Sequence, residues 1–358
     1  MLLRLRPSND SSLRAPLFKL AEELGYSVRF LDSERSLAEL ERQAASGAGH
    51  PAHRSLFEDL TCVAAVLSHP ESPELSARLS QDHDTVVQIG EARFGGGQIS
   101  LIAGPCAVED AETLLHIARA VKASGASVLR GGAFKPRTSP YSFQGRGAPG
   151  LQLLREVGDE VGLAIVTEVL DPRDVDLVAS QADALQIGSR SMSNAALLKT
   201  VAQTGLPILL KRGLAATVRE FLLAGEYLLS EGNPNVILCE RGIRSFDPTT
   251  RNLLDLGCVA HLKGATHLPV IVDPSHAAGR ADLVAPLAKA GIVAGADGLI
   301  VEVNHDPANA HSDGAQALSP AAFDAIAASV SSLAALEKKT LVLPQTPNPQ
   351  ASPEEQKA

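Results

Sequence analysis

The sequence predicts an α/β protein whose main body is a (β/α)8 barrel, preceded by a small α+β domain. Apolar, β-rich runs recur eight times between residues 100 and 303, and helical patterns separate most of them. Such continuous apolar runs are typical of a parallel sheet that is buried on both faces. Hydrophobic residues make up 45% of the 358-residue chain, which is enough for a core of that size. Eight strand–helix units in about 240 residues fit a (β/α)8 TIM barrel, and a doubly wound sheet is the alternative.

Residues 1–75 have a different pattern and form the predicted N-terminal domain. Its predicted elements are, in order, a strand at Leu2–Leu5, a helix from Leu13 to Leu24, a strand at Ser27–Leu31, a helix at Ser36–Ala44, a loop over 46–53, a helix over 54–60 and a strand over 62–67. Ser12 is the expected cap of the first helix, and Gly25 ends it. This mixture of strands and helices suits a small α+β sandwich.

The predicted barrel domain spans residues 76–338. It opens with a predicted hairpin, whose strands over 86–89 and 98–101 flank the run Gly95–Gly97. The eight runs assigned to barrel strands are 100–103, 127–129, 164–169, 184–187, 207–210, 236–239, 270–272 and 299–303. Helical patterns lie between most of them, but the pattern between 240 and 269 is weak because glycine and proline interrupt it. Residues 339–358 are polar and proline-rich, which predicts a disordered tail.

The charge balance and the cysteine pattern exclude several classes of protein. A formal net charge of −9 argues against nucleic-acid binding, as does the scarcity of aromatic side chains that could stack on bases. No apolar stretch reaches the ~18 residues of a membrane span, and the first apolar run is too short for a signal peptide. The four cysteines have no paired spacing, which indicates free thiols and a cytoplasmic location.

A basic side chain follows one predicted barrel strand after another. In a (β/α)8 barrel the active site lies where strands end and βα loops begin, so these groups should converge on one mouth. They are Arg130, Lys135, Arg137, Arg190, Lys211 and Arg241. Gathering so much positive charge is electrostatically costly unless anions bind there. The pattern therefore predicts two small phosphorylated ligands, one of which also carries a carboxylate.

Candidate metal ligands lie at the same strand ends. They are Cys106, His276, Glu302 and Asp313. A thiolate, an imidazole and two carboxylates suit a borderline divalent cation such as Zn²⁺, Mn²⁺, Fe²⁺ or Co²⁺. Taken singly, Cys106 is better explained as a small buried apolar residue, and His276 as a core or capping imidazole.

Several blocks of the sequence resemble one enzyme family. They are IAGPCAVED (102–110), LRGGAFKPRTSPYSFQG (129–145), LLKRG (209–213), NPNVILCERGIRSF (233–246), THLPVIVDPSHAAGR (266–280), GLIVEVN (298–304) and SDGAQ (312–316). These blocks are similar to the 3-deoxy-D-arabino-heptulosonate 7-phosphate (DAHP) synthases of the type I-beta group. That group also includes 3-deoxy-D-manno-octulosonate 8-phosphate synthases, in which a KANRS-like segment is expected where this chain has KPRTS at 135–139. The resemblance thus favours the heptulosonate enzyme.

The resemblance implies a metal-dependent condensation of phosphoenolpyruvate with erythrose 4-phosphate, which releases phosphate and begins the route to the aromatic amino acids. It implies that the metal ligands are Cys106, His276, Glu302 and Asp313. Residues that match the phosphoenolpyruvate side are Arg130, Lys135, Glu168, Gly188, Ser189, Arg190, Lys211 and Arg241, and residues that match the erythrose 4-phosphate side are Arg137, Thr138 and Ser139. We expect Lys135 to transfer a proton, and we expect Cys106 and His276 to be required for catalysis because they hold the metal.

The resemblance also bears on residues 1–75. Family members often carry a ferredoxin-like or a chorismate-mutase domain there, and this region looks like the former, although residues 41–53 lack the strand expected in it. An appended domain motivates the hypothesis of feedback control by tyrosine or phenylalanine. A homo-oligomer, either a tetramer or a dimer, is implied as well.

Three other functions stay open from the sequence. The first is an octulosonate synthase that uses arabinose 5-phosphate. The second is a metal-free Schiff-base aldolase with Lys211 as its nucleophile. The third is a non-catalytic module that binds phosphoenolpyruvate without turnover, against which the complete set of metal ligands argues.

Overall fold

The structure is a computed structural model that describes residues 2–8, 11–32, 35–42, 56–67, 75–81, 83–136 and 139–344. The chain divides into two compact units, Met1–His83 with Ala265–His267 and Asp84–Gly264 with Leu268–Ala358. The predicted loop over 46–53 and the predicted tail beyond residue 344 lie outside the described residues. The domain limits at residues 75 and 338 stay a prediction.

The first unit contains a four-stranded antiparallel sheet. Its elements are β1 (Leu2–Leu5), α1 (Ala15–Glu23), β2 (Tyr26–Phe30), β3 (Leu37–Arg42), a helical turn at 56–58 and β4 (Val63–Leu67). The strand order is β2-β3-β1-β4, and Leu3, Leu17 and Phe57 share one apolar core. This succession of strand, helix, two strands, helical turn and strand is that of a ferredoxin-like domain, as the sequence predicted.

Strand β3 occupies the place of the helix predicted at Ser36–Ala44, so that prediction was wrong. The segment LAELER is rich in strong helix formers, and its local propensity is therefore misleading. In the sheet, Ala38 and Leu40 are buried while Glu39 is partly exposed, which is the two-residue period of a half-buried strand. Pairing with β1 and β2 overrides the helical propensity, and β3 is the strand that the sequence analysis expected but did not find.

The second unit is a closed barrel of eight parallel strands, entered through a hairpin of β5 (Val87–Ile89) and β6 (Ala92–Phe94). The barrel strands are β7 (Gln98–Gly104), β8 (Val128–Arg130), β9 (Ala164–Glu168), β10 (Ala184–Ile187), β11 (Ile208–Lys211), β12 (Val236–Glu240), β13 (Val270–Val272) and β14 (Gly298–Glu302). Each strand pairs with the next, and β14 pairs with β7, which closes the cylinder. The predicted (β/α)8 barrel is confirmed, and the doubly wound sheet is excluded.

The hairpin differs in detail from the prediction. Strand β5 pairs with β6 across the turn at Gly90, whereas the sequence predicted pairing across Gly95–Gly97 with the segment that begins at Gln98. Residues 95–97 instead form a turn between β6 and β7, and Gln98 belongs to the barrel. At the other end of the unit, β15 (Thr340–Leu341) pairs with the start of β7, so the predicted tail begins with a short strand.

Helices follow most of the strands and cover the barrel. They are α2 (Ala111–Ala123), α3 (Ala148–Val161), α4 (Val175–Ala179), α5 (Ala195–Ala202), α6 (Val218–Ser230), α7 (Leu256–Ala265), α8 (Pro274–Ala278), α9 (Ala281–Val293) and α10 (Pro320–Leu336). Asp110, Asn194 and Ser319 begin three of them, since each side chain accepts a backbone N–H three residues further on. In the described part of the chain, no helix combines the length and the apolarity that crossing a bilayer requires.

The hairpin fills the amino-terminal end of the barrel interior. Phe94 packs in one apolar cluster with the inward-facing residues Ile102, Ile237 and Ile300. Gly298 makes room for this ring, because a Cβ at that position would lie 2.9 Å from it. With this end packed by apolar side chains, the polar groups of the barrel are left at the carboxyl ends of its strands.

Candidate active site

The carboxyl ends of the strands and the loops after them surround a cavity of about 470 Å³. Its lining is rich in basic side chains, namely Arg130, Lys135, Arg190, Lys211, Arg241, Arg244 and Arg251. Other predicted site residues that line it are Ser139, Glu168, Gly188, Ser189, His276 and Asp313. The predicted ligands Cys106 and Glu302 are buried and contact residues of this lining. Arg137 and Thr138 lie outside the described residues.

Sequence reasoning missed two arginines of the cavity, Arg244 and Arg251. Both lie in the long loop between β12 and α7, whereas the prediction rested on basic residues close to a strand end. The block NPNVILCERGIRSF contains Arg244, so the family resemblance carried a signal for that residue. Arg251 lies beyond every block that carried the resemblance, and no signal in this one sequence separates it from a surface arginine.

The four predicted metal ligands converge at one side of the cavity. Cys106 Sγ lies 3.3 Å from Asp313 Oδ2. His276 Nε2 lies 3.4 Å from Glu302 Oε1 and 3.9 Å from Asp313 Oδ2. One ligand atom each from Cys106, Glu302 and Asp313 lies within 4.8 Å of the others. The ligands are far apart in sequence but follow β7, β13 and β14, which are neighbours in the closed barrel.

Asp273, directly after β13, orients the imidazole of His276. Its Oδ1 accepts a hydrogen bond from the His276 backbone N–H at 2.9 Å, and its Oδ2 lies 2.8 Å from His276 Nδ1. With Nδ1 as the donor, Nε2 keeps a lone pair for a cation. Burial lowers the pKa of His276 below its usual value, which favours the neutral imidazole that metal binding requires.

The other ligands differ in protonation. Burial, and next the negative charge of Glu302, raise the pKa of the Cys106 thiol to about 12. Burial also raises the pKa of Asp313, but the charge of Arg251 and that of His276, whose imidazole is protonated at the low pH where this carboxyl group titrates, outweigh it and bring that pKa to about 2. The pKa of Glu302 is lowered despite its burial, because His276 and Arg130 stabilise the ionised form. The site thus contains two carboxylates and a thiol that can lose its proton to a cation.

This donor set fits a divalent metal ion. Glu302 Oε1 is buried, and among the described residues it accepts no hydrogen bond, although Arg130 Nη2 lies 3.3 Å away. A buried carboxylate oxygen of this kind is satisfied by a bound cation. Sulfur, nitrogen and oxygen donors together suit the borderline ions of the Mn, Fe, Co and Zn class.

Buried bases lie beside the metal ligands. Lys135 Nζ donates a hydrogen bond to the backbone carbonyl of Cys106 at 2.6 Å. Gly132 allows this approach, because a Cβ there would lie 2.7 Å from Lys135 Nζ. Arg130 is buried too, and its Nε and Nη1 make no hydrogen bond within the described residues. Unpaired buried donors next to a cation site favour an anionic ligand between them.

Three further bases line the cavity, two of them buried and one exposed at its rim. Lys211 Nζ pairs with Asp273 Oδ2 at 2.5 Å, and both side chains are buried. Burial lowers the pKa of Arg241, and the nearby positive charge of Arg251 acts in the same direction. Arg190 is exposed at the rim, where its Nη1 lies 3.5 Å from the carbonyl oxygen of Pro136. The cavity therefore has buried cationic side chains in its interior and an exposed one, Arg190, at its opening.

Glu168 is pressed against the backbone of Gly188. These residues lie at the ends of the neighbouring strands β9 and β10. A Cβ at position 188 would lie only 1.8 Å from Glu168 Oε1, so only glycine leaves room for the carboxylate. The pair therefore fixes the wall of the cavity next to Ser189 and Arg190.

The fold and the site together define a class of protein: a (β/α)8-barrel enzyme with a candidate divalent-metal site beside a cavity lined by basic side chains. Comparison with known families identifies the chain further. Residues 78–338 match the DAHP synthetase I family, and the chain belongs to that family.

Known relatives agree with this assignment. The chain is 48% identical over 262 residues to a phospho-2-dehydro-3-deoxyheptonate aldolase of Thermotoga maritima. The matched region covers 73% of this chain and 78% of that protein. It is 32% identical over 250 residues to a 2-dehydro-3-deoxyphosphooctonate aldolase of Methylobacterium radiotolerans, over 64% of this chain and 87% of that protein. The crystal structure of a Thermotoga maritima phospho-2-dehydro-3-deoxyheptonate aldolase (DAHP synthase) matches with a TM-score of 0.75 at 40% identity, over 95% of this chain and 98% of that chain.

Proposed function

We propose that this chain condenses phosphoenolpyruvate with erythrose 4-phosphate to give DAHP and phosphate, the first step towards the aromatic amino acids. Membership of the DAHP synthetase I family and the relative named phospho-2-dehydro-3-deoxyheptonate aldolase support this reaction. The single observation that carries the proposal is the hydrogen bond from Lys135 Nζ to the carbonyl of Cys106. This bond joins a residue assigned to phosphoenolpyruvate to a residue assigned to the metal, which supports a reaction between two anionic substrates beside a metal ion.

Phosphoenolpyruvate carries a phosphate and a carboxylate, and the bases of the cavity match both groups. We assign its binding to Arg130, Lys135, Arg190, Lys211 and Arg241, with the backbone of Gly188 and Ser189 beside them and Glu168 as a neighbouring carboxylate. Buried, fixed cations hold such a ligand without reorganisation during the reaction.

Erythrose 4-phosphate is assigned to the adjoining part of the cavity. Ser139 lines the cavity and is one of the residues assigned to its phosphate. Arg137 and Thr138 are assigned to the same side on their sequence alone. In this arrangement the aldehyde end of the sugar faces the metal ligands, and carbon 3 of phosphoenolpyruvate faces the aldehyde carbon.

A carbon–carbon bond forms between carbon 3 of phosphoenolpyruvate and the aldehyde carbon, and the aldehyde oxygen takes up a proton. We assign that proton to Lys135 Nζ, which lies in the cavity wall next to the metal ligands. Positive charge then develops at carbon 2, where water adds and loses a proton. The carbon–oxygen bond to phosphate then breaks with its electron pair on the departing phosphate, while the hydroxyl oxygen at carbon 2 forms a double bond to carbon 2 and releases its proton, which gives the keto group of the product. The surrounding arginines stabilise the charge of the phosphate.

We assign one divalent ion of the Mn, Fe, Co or Zn class to Cys106, His276, Glu302 and Asp313. When bound, it would supply Lewis-acid polarisation of the aldehyde carbonyl. The contribution of the chain is to present the four donors together, with Asp273 holding the imidazole so that Nε2 faces the site.

Specific observations disfavour two of the alternatives. The octulosonate aldolase relative is less similar, at 32% identity against 48% for the heptonate relative. For the Schiff-base reaction, Lys211 Nζ would have to attack a carbonyl carbon, but this atom is held in a buried ion pair with Asp273.

Phosphate release tests the reaction directly. Metal-free protein is mixed with phosphoenolpyruvate and either erythrose 4-phosphate or arabinose 5-phosphate, before and after addition of Mn²⁺, Co²⁺ or Zn²⁺. We expect release with erythrose 4-phosphate only, and only with a divalent ion. Release with arabinose 5-phosphate instead would establish the octulosonate reaction, and metal-independent turnover with borohydride trapping of Lys211 would establish the Schiff-base reaction.

Regulation, assembly and location form a further part of the proposal. The ferredoxin-like unit supports feedback control by tyrosine or phenylalanine. The family resemblance supports a homo-tetramer or a homodimer. The four buried free cysteines support a cytoplasmic location. Activity with and without each amino acid, in the full chain and after deletion of residues 1–75, tests the first. Light scattering in solution gives the assembled mass. If activity responds to neither amino acid, feedback control is refuted. If light scattering gives the mass of a single chain, the homo-oligomer is refuted.

A further inference from the structure

The side-chain amide of Gln316 lies behind the two carboxylates assigned to the metal. Gln316 is buried, and its Nε2 donates a hydrogen bond to Glu302 Oε2 at 2.5 Å. Its Oε1 accepts one from Arg251 Nη1 at 2.9 Å. An arginine only donates and an ionised carboxylate only accepts, so these two partners dictate the orientation of the amide. The amide therefore links a guanidinium to Glu302 in one defined direction.

Arg251 holds the second carboxylate directly. The same Nη1 donates a hydrogen bond to Asp313 Oδ1 at 3.2 Å. One guanidinium thus restrains Asp313 by contact and Glu302 through Gln316. The restrained atoms are Glu302 Oε2 and Asp313 Oδ1, whereas the atoms that lie near His276 Nε2 are Glu302 Oε1 and Asp313 Oδ2.

The backbone around Asp313 makes this support necessary. Asp313 has a φ of 53°, in the left-handed region that costs free energy for a residue other than glycine. The next residue, Gly314, lies so close to the chain that a Cβ would be 2.1 Å from the carbonyl oxygen of Pro307. The loop is therefore tightly constrained at its backbone, and the guanidinium of Arg251 constrains the carboxylate that this backbone presents.

We propose that Gln316 and Arg251 are positioning residues that select which oxygen of Glu302 and of Asp313 faces the divalent cation. The inference rests on the metal site of the proposed function, and neither residue is itself a metal ligand. Partners that orient metal ligands typically contribute about 10- to 100-fold to metal affinity. The pair also connects the metal to the loop between β12 and α7, which carries the phosphoenolpyruvate-binding Arg241.

Titration of metal-free protein with Co²⁺ tests the proposal, since the cobalt–thiolate absorption reports binding at Cys106 independently of turnover. Gln316→Met removes both hydrogen bonds at similar volume, and Arg251→Met removes the guanidinium. Each variant should raise the Kd for Co²⁺ by about 10- to 100-fold. Arg251→Lys keeps a cationic donor and should recover part of the affinity, which a purely structural role would not predict.

Two matched controls accompany these variants. Gln186→Met makes the same chemical change at a buried residue of the same cavity, and Arg244→Met removes an arginine of the same loop. No hydrogen bond or ion pair of the described residues joins either side chain to the four ligands, so both Kd values should stay close to that of the wild type.

The outcomes separate this proposal from the proposed function. Wild-type affinity in both Gln316→Met and Arg251→Met overturns the positioning role, while failure of the wild-type protein to bind Co²⁺ overturns the metal site itself. If circular dichroism shows that Gln316→Met does not fold, Arg251→Met decides, because its side chain is 42% exposed and its loss leaves the core intact.

Discussion

Lys211 and Asp273 form a buried ion pair in which Nζ lies 2.5 Å from Oδ2. The same carboxylate oxygen lies 2.8 Å from His276 Nδ1. A single side chain thus contacts a base assigned to phosphoenolpyruvate and a residue assigned to the metal. Burial would raise the pKa of Asp273, but the charge of His276, whose imidazole is protonated at the low pH where this carboxyl group titrates, and the charge of Lys211 hold it well below its usual range. This carboxylate is therefore ionised at neutral pH.

Replacing this carboxylate should destabilise the protein. Asp273→Asn leaves the buried ammonium of Lys211 without a counter-charge, and we expect it to lower the free energy of unfolding by about 3–5 kcal/mol. Urea unfolding at pH 7, followed by circular dichroism, measures the change. Asp282→Asn, which removes the exposed partner of Arg280, is the matched control and should behave like the wild type. Equal stability of Asp273→Asn and the wild type would contradict the prediction.

Metal binding should release about one proton at pH 7. The pKa of Cys106 is about 12 without an ion, so the thiol is protonated, whereas a metal ligand must be a thiolate. Raising the pH removes the competing proton, and metal affinity should therefore increase from pH 7 to pH 9. Calorimetric titration in two buffers of different ionisation enthalpy counts the protons released.

Cysteine variants identify the source of that proton. Cys106→Ala should keep its fold but lose metal binding and nearly all activity, whereas Cys62→Ala, which removes another buried free thiol, should bind metal and release the proton as the wild type does. If Cys106→Ala still releases the proton on metal binding, the Cys106 thiol is not its source.

Lys135→Met should separate metal binding from chemistry. The variant removes the proposed proton donor but none of the four metal ligands, so the Kd for metal should change little. The rate constant kcat should fall by about 10²- to 10⁴-fold, the usual contribution of general acid catalysis. Lys199→Met, on the outer surface of α5, serves as the control. A kcat close to that of the wild type would rule out Lys135 as the donor.

Gly188→Ala should damage substrate binding through Glu168. The new methyl group would collide with Glu168 Oε1, and the displaced carboxylate would disturb the bases around it. Since small displacements in a site can cost about 10²-fold, we expect kcat/KM for phosphoenolpyruvate to fall by about that factor. Gly264→Ala, in α7 with no atom of the described chain within 4 Å of the new Cβ, should retain full activity. Steady-state kinetics of both variants decide the matter.

The barrel could be predicted from the sequence because its strands are buried on both faces. Every residue of β8 and of β11 is buried, and all residues before the terminal Arg130 and Lys211 are apolar, so each strand appears as an apolar run without alternation. The weak helical pattern between residues 240 and 269 had a physical cause too: much of that segment is the loop after β12, and only Leu256–Ala265 is helical. Strand β3 could not be predicted, because its local propensity is helical and only its pairing with β1 and β2 makes it a strand.

The residues of the candidate site also fall into those that the sequence could place and those that it could not. Residues close to strand ends, such as Arg130 and Lys211, could be placed because the barrel geometry fixes where strands end. Arg251 could not, because it belongs to an irregular loop whose course depends on contacts that no periodicity encodes. Gln316 lies in the block SDGAQ, but nothing in the sequence indicates its contact with Glu302. The positions of Arg137 and Thr138 stay predictions.

The apolar plug formed by Phe94 and the hairpin has a consequence for product release. Within the described part of the barrel it leaves the cylinder a single entrance. Substrates arrive and both products depart through this one passage, so a product that lingers there obstructs the next molecule of phosphoenolpyruvate. Inorganic phosphate should therefore inhibit competitively against phosphoenolpyruvate, and initial rates at graded phosphate concentrations reveal that dependence.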